Sequence, residues 1–314
     1  MNCVVCAIAK QENQYIYEWA KHHLEIGFSH IHIYDNNDLD GESIADVFRG
    51  TAIEKSITIH DVCGRICMQL EVYQDCYDNE EFDWCAFIDI DEFITFVSPQ
   101  MNICGFLRDK IQFDAVHLNW LCYGDDEQLD SDGRGVRERF KYPILPMDFK
   151  AQYIGIPDNA HIKSIIRKGV KISWTDIGTV VTFANPHTPA YLDNVCNELG
   201  VYVENLPWNK MSHEVCFIAH YITKTISEYG MKIQRKAADS NSFTHSYARF
   251  FRYNKLTLRK LHHIRQVTSD AKLFPIIYDL FKWWNFTHHT FLATHYRKYH
   301  RMVERDKSVI KYLE

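Results

Sequence analysis

Short apolar runs alternate with amphipathic stretches through the first 120 residues, and this alternation is what most limits the possible fold. Cys3–Ala9 is uniformly apolar and reads as a buried strand. In Glu12–Gly27 the residues Ile16, Trp19, Ala20 and Leu24 recur at helical spacing, and Gly27 ends the stretch. His30–Tyr34 predicts a second strand, Ser43–Arg49 a short helix, Ala52–His60 a third strand and Arg65–Tyr77 a further helix. Trp84–Ile88 and Ala115–Leu121 predict a fourth and a fifth strand. Strands that alternate with helices build an α/β fold around a mostly parallel sheet, with ligands at the carboxyl ends of the strands. The polar turns fall at those ends. Short β-like runs at Ile162–Arg167, Val170–Trp174 and Thr179–Phe183 predict hairpins added to the sheet, and the pattern is helical from Ile222 onward.

Composition allows a packed core, and the charge distribution sets residues 1–240 apart from residues 241–314. Hydrophobic residues make up 46% of the 314-residue chain, enough for a substantial core. The apolar start lacks a basic flank and runs directly into Lys10-Gln11-Glu12, which fits a strand better than a leader. The ten cysteines include several within apolar runs, which points to reduced thiols and a cytoplasmic setting. Charge is uneven. Residues 241–314 hold 14 basic and 5 acidic residues, a net of +9, which leaves −15 for residues 1–240. This helical, basic and aromatic tail, with Trp283, Trp284, Phe286 and Phe291, suggests peripheral attachment to an anionic membrane or a helical cap. The overall acidity and the lack of a recognised motif argue against nucleic acid as a partner.

The chemistry points to Asp89-Ile90-Asp91. Asp-x-Asp occurs three times, but Asp38-Leu39-Asp40 and Asp130-Ser131-Asp132 lie in polar loops, whereas Asp89-Ile90-Asp91 ends an apolar run. An apolar strand that finishes in Asp-x-Asp places both carboxylates on the same side of an extended backbone, because side chains alternate with period two. Two hard oxygen donors there suit Mg²⁺ or Mn²⁺. Asp35-Asn36-Asn37 reads either as a contact to a base or ribose or as an Asx-type turn. Lys10 reads either as a phosphate contact or as a solvated lysine.

Several blocks together resemble glycosyltransferase family 92 and its bacterial relatives in the family-2-like group. They are Cys6-Ala7-Ile8-Ala9-Lys10-Gln11-Glu12, Tyr15–Trp19, His22–Asn37, Gln69–Cys76, Trp84–Phe93, Asn119-Trp120, Ile162–Arg167, Asn185-Pro186-His187 and Ala219-His220-Tyr221-Ile222-Thr223-Lys224. The resemblance covers roughly residues 3–240 and implies a GT-A fold, a UDP-sugar donor and a divalent metal, commonly Mn²⁺. It implies Asp89, Asp91 and His220 as metal ligands. The nucleotide-sugar site it implies comprises Ala7, Lys10, Asp35, Asn36, Arg65, Gln69, Asp89, Ile90 and Lys224. One departure stands out: Asp125, Asp126 and Glu127 occur where many relatives carry a Gly/Ser-rich loop.

The implied reaction transfers a hexose, with galactose favoured, to a glycan or lipid-linked saccharide and inverts the anomeric centre. Asp126, then Asp125 and Glu127, are the candidate general bases, although three consecutive acids also suit a solvated loop. Trp120 is a candidate stacking surface for an acceptor sugar, and His187 reads as a structural histidine. A haloacid-dehalogenase phosphatase also uses Asp-x-Asp, but Phe93 stands where it wants Thr or Val. A non-catalytic module that binds a nucleotide sugar is the other alternative.

Overall fold

The computed structural model describes residues 1–144, 158–175, 185–206, 208–235 and 245–254, together with 257, 259, 260, 263 and 264. In chain order the elements are β1 (Cys3–Ala9), α1 (Asn13–Glu25), β2 (His30–Asp35), α2 (Ile44–Phe48), β3 (Ile57–Asp61), α3 (Gln69–Asn79) and β4 (Trp84–Phe87). Then come β5 (Glu92–Phe96), α4 (Ile103–Arg108), β6 (Ala115–Cys122), α5 (Val136–Arg139), β7 (Ile162–Arg167), β8 (Val195–Asn197), β9 (Tyr202–Val203), β10 (Cys216–His220), α6 (Ile226–Arg235) and α7 (Tyr247–Tyr253). The main sheet runs β3-β2-β1-β4-β7-β6-β10-β5, flanked by helices. From β3 to β4 every pairing is parallel, as the alternation predicts. Beyond β4 the sheet is mixed: β7 is antiparallel to β4 and β6, β10 is parallel to β6, and β5 is antiparallel to β10.

Strand β1 shows why its sequence is apolar throughout. Cys3, Val5, Ala7 and Ala9 pack into the core that holds α1, α2 and α4, whereas Val4, Cys6 and Ile8 pack against α3. A strand covered on both faces leaves no position for a polar residue. Two buried histidines of α1 then fix the helix to β5. His23 Nδ1 donates to the Trp19 carbonyl at 2.8 Å and its Nε2 accepts the Ile94 N–H at 3.2 Å. His22 Nε2 donates to the Ile94 carbonyl at 2.7 Å.

Some boundaries differ from the sequence reading, for local reasons. The third strand begins at Ile57 rather than Ala52, because residues 51–56 form turns closed by Glu54 N–H to Thr51 and Ser56 N–H to Ile53. Helix α3 begins at Gln69, just past Cys67, whose φ of +55° breaks helical geometry. Val170–Trp174 does not form a strand; Gly169 turns the chain at φ +82° and a single bridge joins Ser173 to Ala190. Glu92–Phe96 is a strand that the sequence reading missed. Thr179–Phe183 lies outside the described residues, as do the tail tryptophans and Phe286 and Phe291. Among the described residues no helix is long and apolar enough to cross a membrane.

Buried histidines give the fold a defined acid lability. Burial lowers the pKa of His22 to about 4, with Arg137 adding to the effect, and lowers that of His117 to about 3. Burial, with His22 next, also holds His23 well below the usual range. Below the unfolded value near 6.5 the unfolded chain takes up protons that the folded chain refuses. Each ring then costs about 1.4 kcal/mol of stability per pH unit until its folded pKa is reached. Tm is therefore expected to fall steadily between pH 7 and pH 5, and a flat Tm across that interval would contradict this reading.

Candidate active site

A cleft of about 320 Å³ opens at the carboxyl ends of β1, β4 and β10. Ile8 and Lys10 bring β1 to it, and Asp89, Ile90 and Asp91 come from the segment that joins β4 to β5. Trp120 and His220 enter from β6 and β10, Lys163 from β7, and Lys232 and Arg235 from α6. The fold explains this gathering. Strand β4 pairs with β1, but β5 pairs with β10, so residues 88–91 must carry the chain from one part of the sheet to the other.

That crossing separates the two carboxylates. Asp89-Ile90-Asp91 is a turn, closed by the Glu92 N–H on the Asp89 carbonyl at 3.1 Å, rather than a continuing strand. Strand alternation therefore does not govern where the side chains go. Asp91 faces His220 and Lys232: its Oδ1 lies 3.6 Å from His220 Nε2 and its Oδ2 accepts from Lys232 Nζ at 2.6 Å. Burial opposes the charge on Asp91, but Lys232 foremost, with Lys224 behind it, outweighs it and holds the carboxyl well below the usual range. Burial lowers the pKa of His220, with Asp91 partly offsetting it, so the imidazole is neutral at neutral pH.

Asp89 has other partners. Its Oδ1 accepts from Gln69 Nε2 at 2.8 Å and from the Tyr73 hydroxyl at 3.4 Å, and its Oδ2 accepts from Lys163 Nζ at 2.8 Å. The Asp89 side chain is 36% exposed, whereas Lys163 is buried and also lies 3.5 Å from the buried Glu92. Burial disfavours the Lys163 ammonium, but Asp89 and Glu92 reverse this and raise its pKa.

The remaining sequence candidates divide into two groups. Lys10 lines the cleft with its Nζ 3.2 Å from Asp38, and Gln69 lines it through the contact to Asp89. Trp120 lines it too, its ring edge-on to His220 with centroids 4.3 Å apart. Lys224 lines an adjoining smaller pocket of about 100 Å³, with its Nζ 4.3 Å above the Tyr15 ring. The others have structural partners away from the cleft lining. Ala7 is buried within β1. Asp35 accepts the N–H groups of Asn37 and Ile44 and so caps the start of α2. Asn36 donates to the carbonyls of Val62 and Arg65, and Arg65 itself is exposed.

Asp125, Asp126 and Glu127 form a tight turn outside the cleft lining, with φ of +45° at Asp126 and +60° at Glu127. Asp125 is buried against Lys260 Nζ at 2.6 Å, and its N–H donates to Asn254 at 2.7 Å. Asp126 accepts the Lys141 N–H at 2.7 Å. Lys163, Lys232, Arg235 and Glu12 are cleft residues to which the sequence reading gave no role. A spacing of i, i+4 and i+7 at Glu228, Lys232 and Arg235 was the available signal, since it puts three charges on one helix face. His187 lines the cleft as well; its Nδ1 bonds the Ile162 carbonyl at 2.8 Å and its ring packs on Trp120.

The donor set can be tested against a divalent metal. Asp91 Oδ1 and His220 Nε2 are 3.6 Å apart, and His220 Nδ1 has no hydrogen-bond partner among the described residues. Ligands ~2.1 Å from one ion lie roughly 3–4 Å from each other, and Mg²⁺ or Mn²⁺ takes its other ligands from water and phosphate. Asp91 and His220 therefore fit. Asp89 fits less well, because both of its oxygens are already engaged.

No family model matches the chain, and no curated protein matches it. Among solved structures, the chain is similar to S. aureus TarS 1-349 in complex with UDP-GlcNAc, at TM-score 0.39 and 11% identity over 94% of this chain and 76% of that one. Against TarS in complex with UDP the values are 0.32 and 13%, over 53% of this chain and 47% of that one. HddC from Yersinia pseudotuberculosis gives 0.32 and 10%, over 64% and 95%. At TM-scores below 0.5, the site has to be read from this chain's own residues.

Replacing Lys163 by Met is expected to destabilise the fold by about 1–3 kcal/mol, since it removes the buried ammonium that the partly exposed Asp89 and the buried Glu92 share. Urea denaturation checks this, and a loss below about 1 kcal/mol would show that the pair contributes little.

Proposed function

We propose that the chain is a glycosyltransferase of GT-A type that moves a sugar from a nucleoside diphosphate donor, in the finer form a hexose from a UDP-sugar, to a glycan or lipid-linked saccharide. The observation that carries this reading is the meeting of Asp91, His220 and Lys232 inside one cleft at the carboxyl ends of the strands. Cleavage of the anomeric bond builds negative charge on the departing diphosphate. Mn²⁺ or Mg²⁺ held by Asp91 and His220 would supply charge to offset it. Asp91 stays ionised under the field of Lys232, and His220 stays neutral through burial, so both keep a free electron pair. Lys232, Arg235 and Lys10 add fixed positive charge to the same cleft. The Trp120 ring offers a flat apolar wall for a sugar, and its indole N–H has no partner among the described residues. A single displacement on this scheme inverts the anomeric centre.

Both carboxylates already carry a lysine, which favours one second reading, that the ammonium groups alone offset the diphosphate charge. UDP release from a panel of UDP-sugars, with and without EDTA, separates the two. The metal reading expects slow release with Mn²⁺ even without acceptor, its loss in EDTA, and a fall of about 10²-fold or more in Asp91→Asn. Release that resists EDTA but falls about 10²-fold in Lys232→Met supports the second reading. No release from any donor would leave a binding module and overturn both.

The turn at 125–127 has its own test. A general base contributes on the order of 10²–10⁴-fold, whereas the Asp126 carboxylate is committed to the Lys141 N–H. Asp126→Asn is therefore expected to keep turnover within about threefold while lowering Tm. A loss of about 10²-fold or more at unchanged Tm would instead mean that the turn opens toward the acceptor and supplies the base.

A further inference from the structure

We propose that His32, His60 and Glu80 form a zinc site, separate from the cleft, that ties the β3 edge of the sheet to the end of α3. His32 lies on β2 and His60 on the edge strand β3, and Glu80 is the residue that ends α3. None of the three lines the cleft. Among the described residues they alone bring three ligand atoms of His, Cys, Asp or Glu within 4.8 Å of one another.

The two imidazole nitrogens and the Glu80 carboxylate lie close enough to share one ion, with Glu80 turning a different oxygen to each ring. His32 Nδ1 lies 3.3 Å from His60 Nε2 and 3.5 Å from Glu80 Oε2, and His60 Nε2 lies 3.6 Å from Glu80 Oε1. Ligands about 2.0–2.2 Å from one tetrahedral ion are separated by roughly 3.3–3.6 Å. Two imidazoles and one carboxylate are a donor set that suits Zn²⁺, with the fourth position left to water. Three lone pairs that converge on one point repel each other unless protons or a cation lie between them.

The rings are also held in place. Tyr34 stacks on His60 with centroids 4.3 Å apart and planes 13° apart, and its hydroxyl donates to Asp75 at 2.6 Å. His30 packs on His32 at 5.0 Å. Such outer contacts fix ligand orientation before an ion arrives. The His60 and Glu80 side chains are 22% and 27% exposed, which leaves an entry path from solvent, whereas His32 is buried at 6%.

The test uses the full chain, free of any affinity tag and stripped with EDTA, and titrates Zn²⁺ against a chromophoric chelator. One equivalent is expected to bind and survive desalting, with Tm about 5 °C higher at a hundredfold excess over Kd. His60→Gln should lose both the equivalent and the Tm gain, and His220→Ala, a change in the cleft, should keep both. Glu80→Gln repeats the test at a position off the sheet, in case His60→Gln fails to fold. No stoichiometric binding, meaning that protons alone fill the site, would overturn the proposal. So would an equivalent bound by His220→Ala that survives when His60→Gln and Glu80→Gln are each added to that variant.

Discussion

The structure depends on how negative charge is neutralised where the chain turns at residues 89–91. Asp89, Asp91 and Glu92 crowd one corner of the sheet, two of them buried, and water alone does not solvate them. Lysines from distant parts of the sequence do it instead, Lys163 for Asp89 and Lys232 for Asp91, while burial, only partly offset by Lys163, holds the Glu92 carboxyl well above the usual carboxylate range. Each pair forms only when β7 and α6 have reached their final positions. The local chemistry of the turn is thus a readout of the whole fold. Charge pairs of this kind add little net stability, because desolvation offsets most of the attraction, yet breaking one is costly. Their effect is to exclude packings that leave a carboxylate bare.

The same arrangement explains how much the sequence reveals. Elements set by local pattern were legible: β1 from its unbroken apolar run, α1 from Ile16, Trp19 and Ala20, and the parallel pairing of β1, β2 and β3 from strand–helix alternation. Asp91 and His220 were named together because of a resemblance across blocks, and the structure puts them 3.6 Å apart. Their spacing in sequence gives no such information. Elements set by non-local pairing were not legible. Strand β5 follows the acidic turn immediately and takes its partner from β10, which lies far along the chain. The helix at Arg65 starts late because Cys67 takes a positive φ, which its side chain does not announce.

Residue type leaves a choice open where a polar side chain can serve either a ligand or the backbone. Asp35 and Asn36 sit at the end of a strand, where nucleotide contacts are expected, but their hydrogen bonds go to the starts and ends of neighbouring segments. A turn that caps a helix and a turn that holds a ribose call for the same side chains. The paired histidines of α1 are neutral links to the β5 backbone and to their own helix, since each ring nitrogen that faces Ile94 or Trp19 has a defined role.

Helix α6 shows how one surface element can specify a site. Glu228, Lys232 and Arg235 share a face and reach three different partners: Arg139, Asp91 and Glu12. Glu228 is the deepest. It accepts both guanidinium nitrogens of Arg139, the Tyr15 hydroxyl, and the Thr225 N–H and hydroxyl, and burial is outweighed by Arg139 and Thr225 so that its pKa is pushed down to about 2. This buried knot fixes the rotation and height of the helix against α1 and α5. A rotation of one residue, about 100°, would swing Lys232 away from Asp91 and leave both charges buried and unpaired. The register of α6 is therefore locked beneath the cleft by Glu228, while the cations one and two turns further on face into it. Positioning and charge supply come from the same face, so the cleft cannot tolerate a shifted helix.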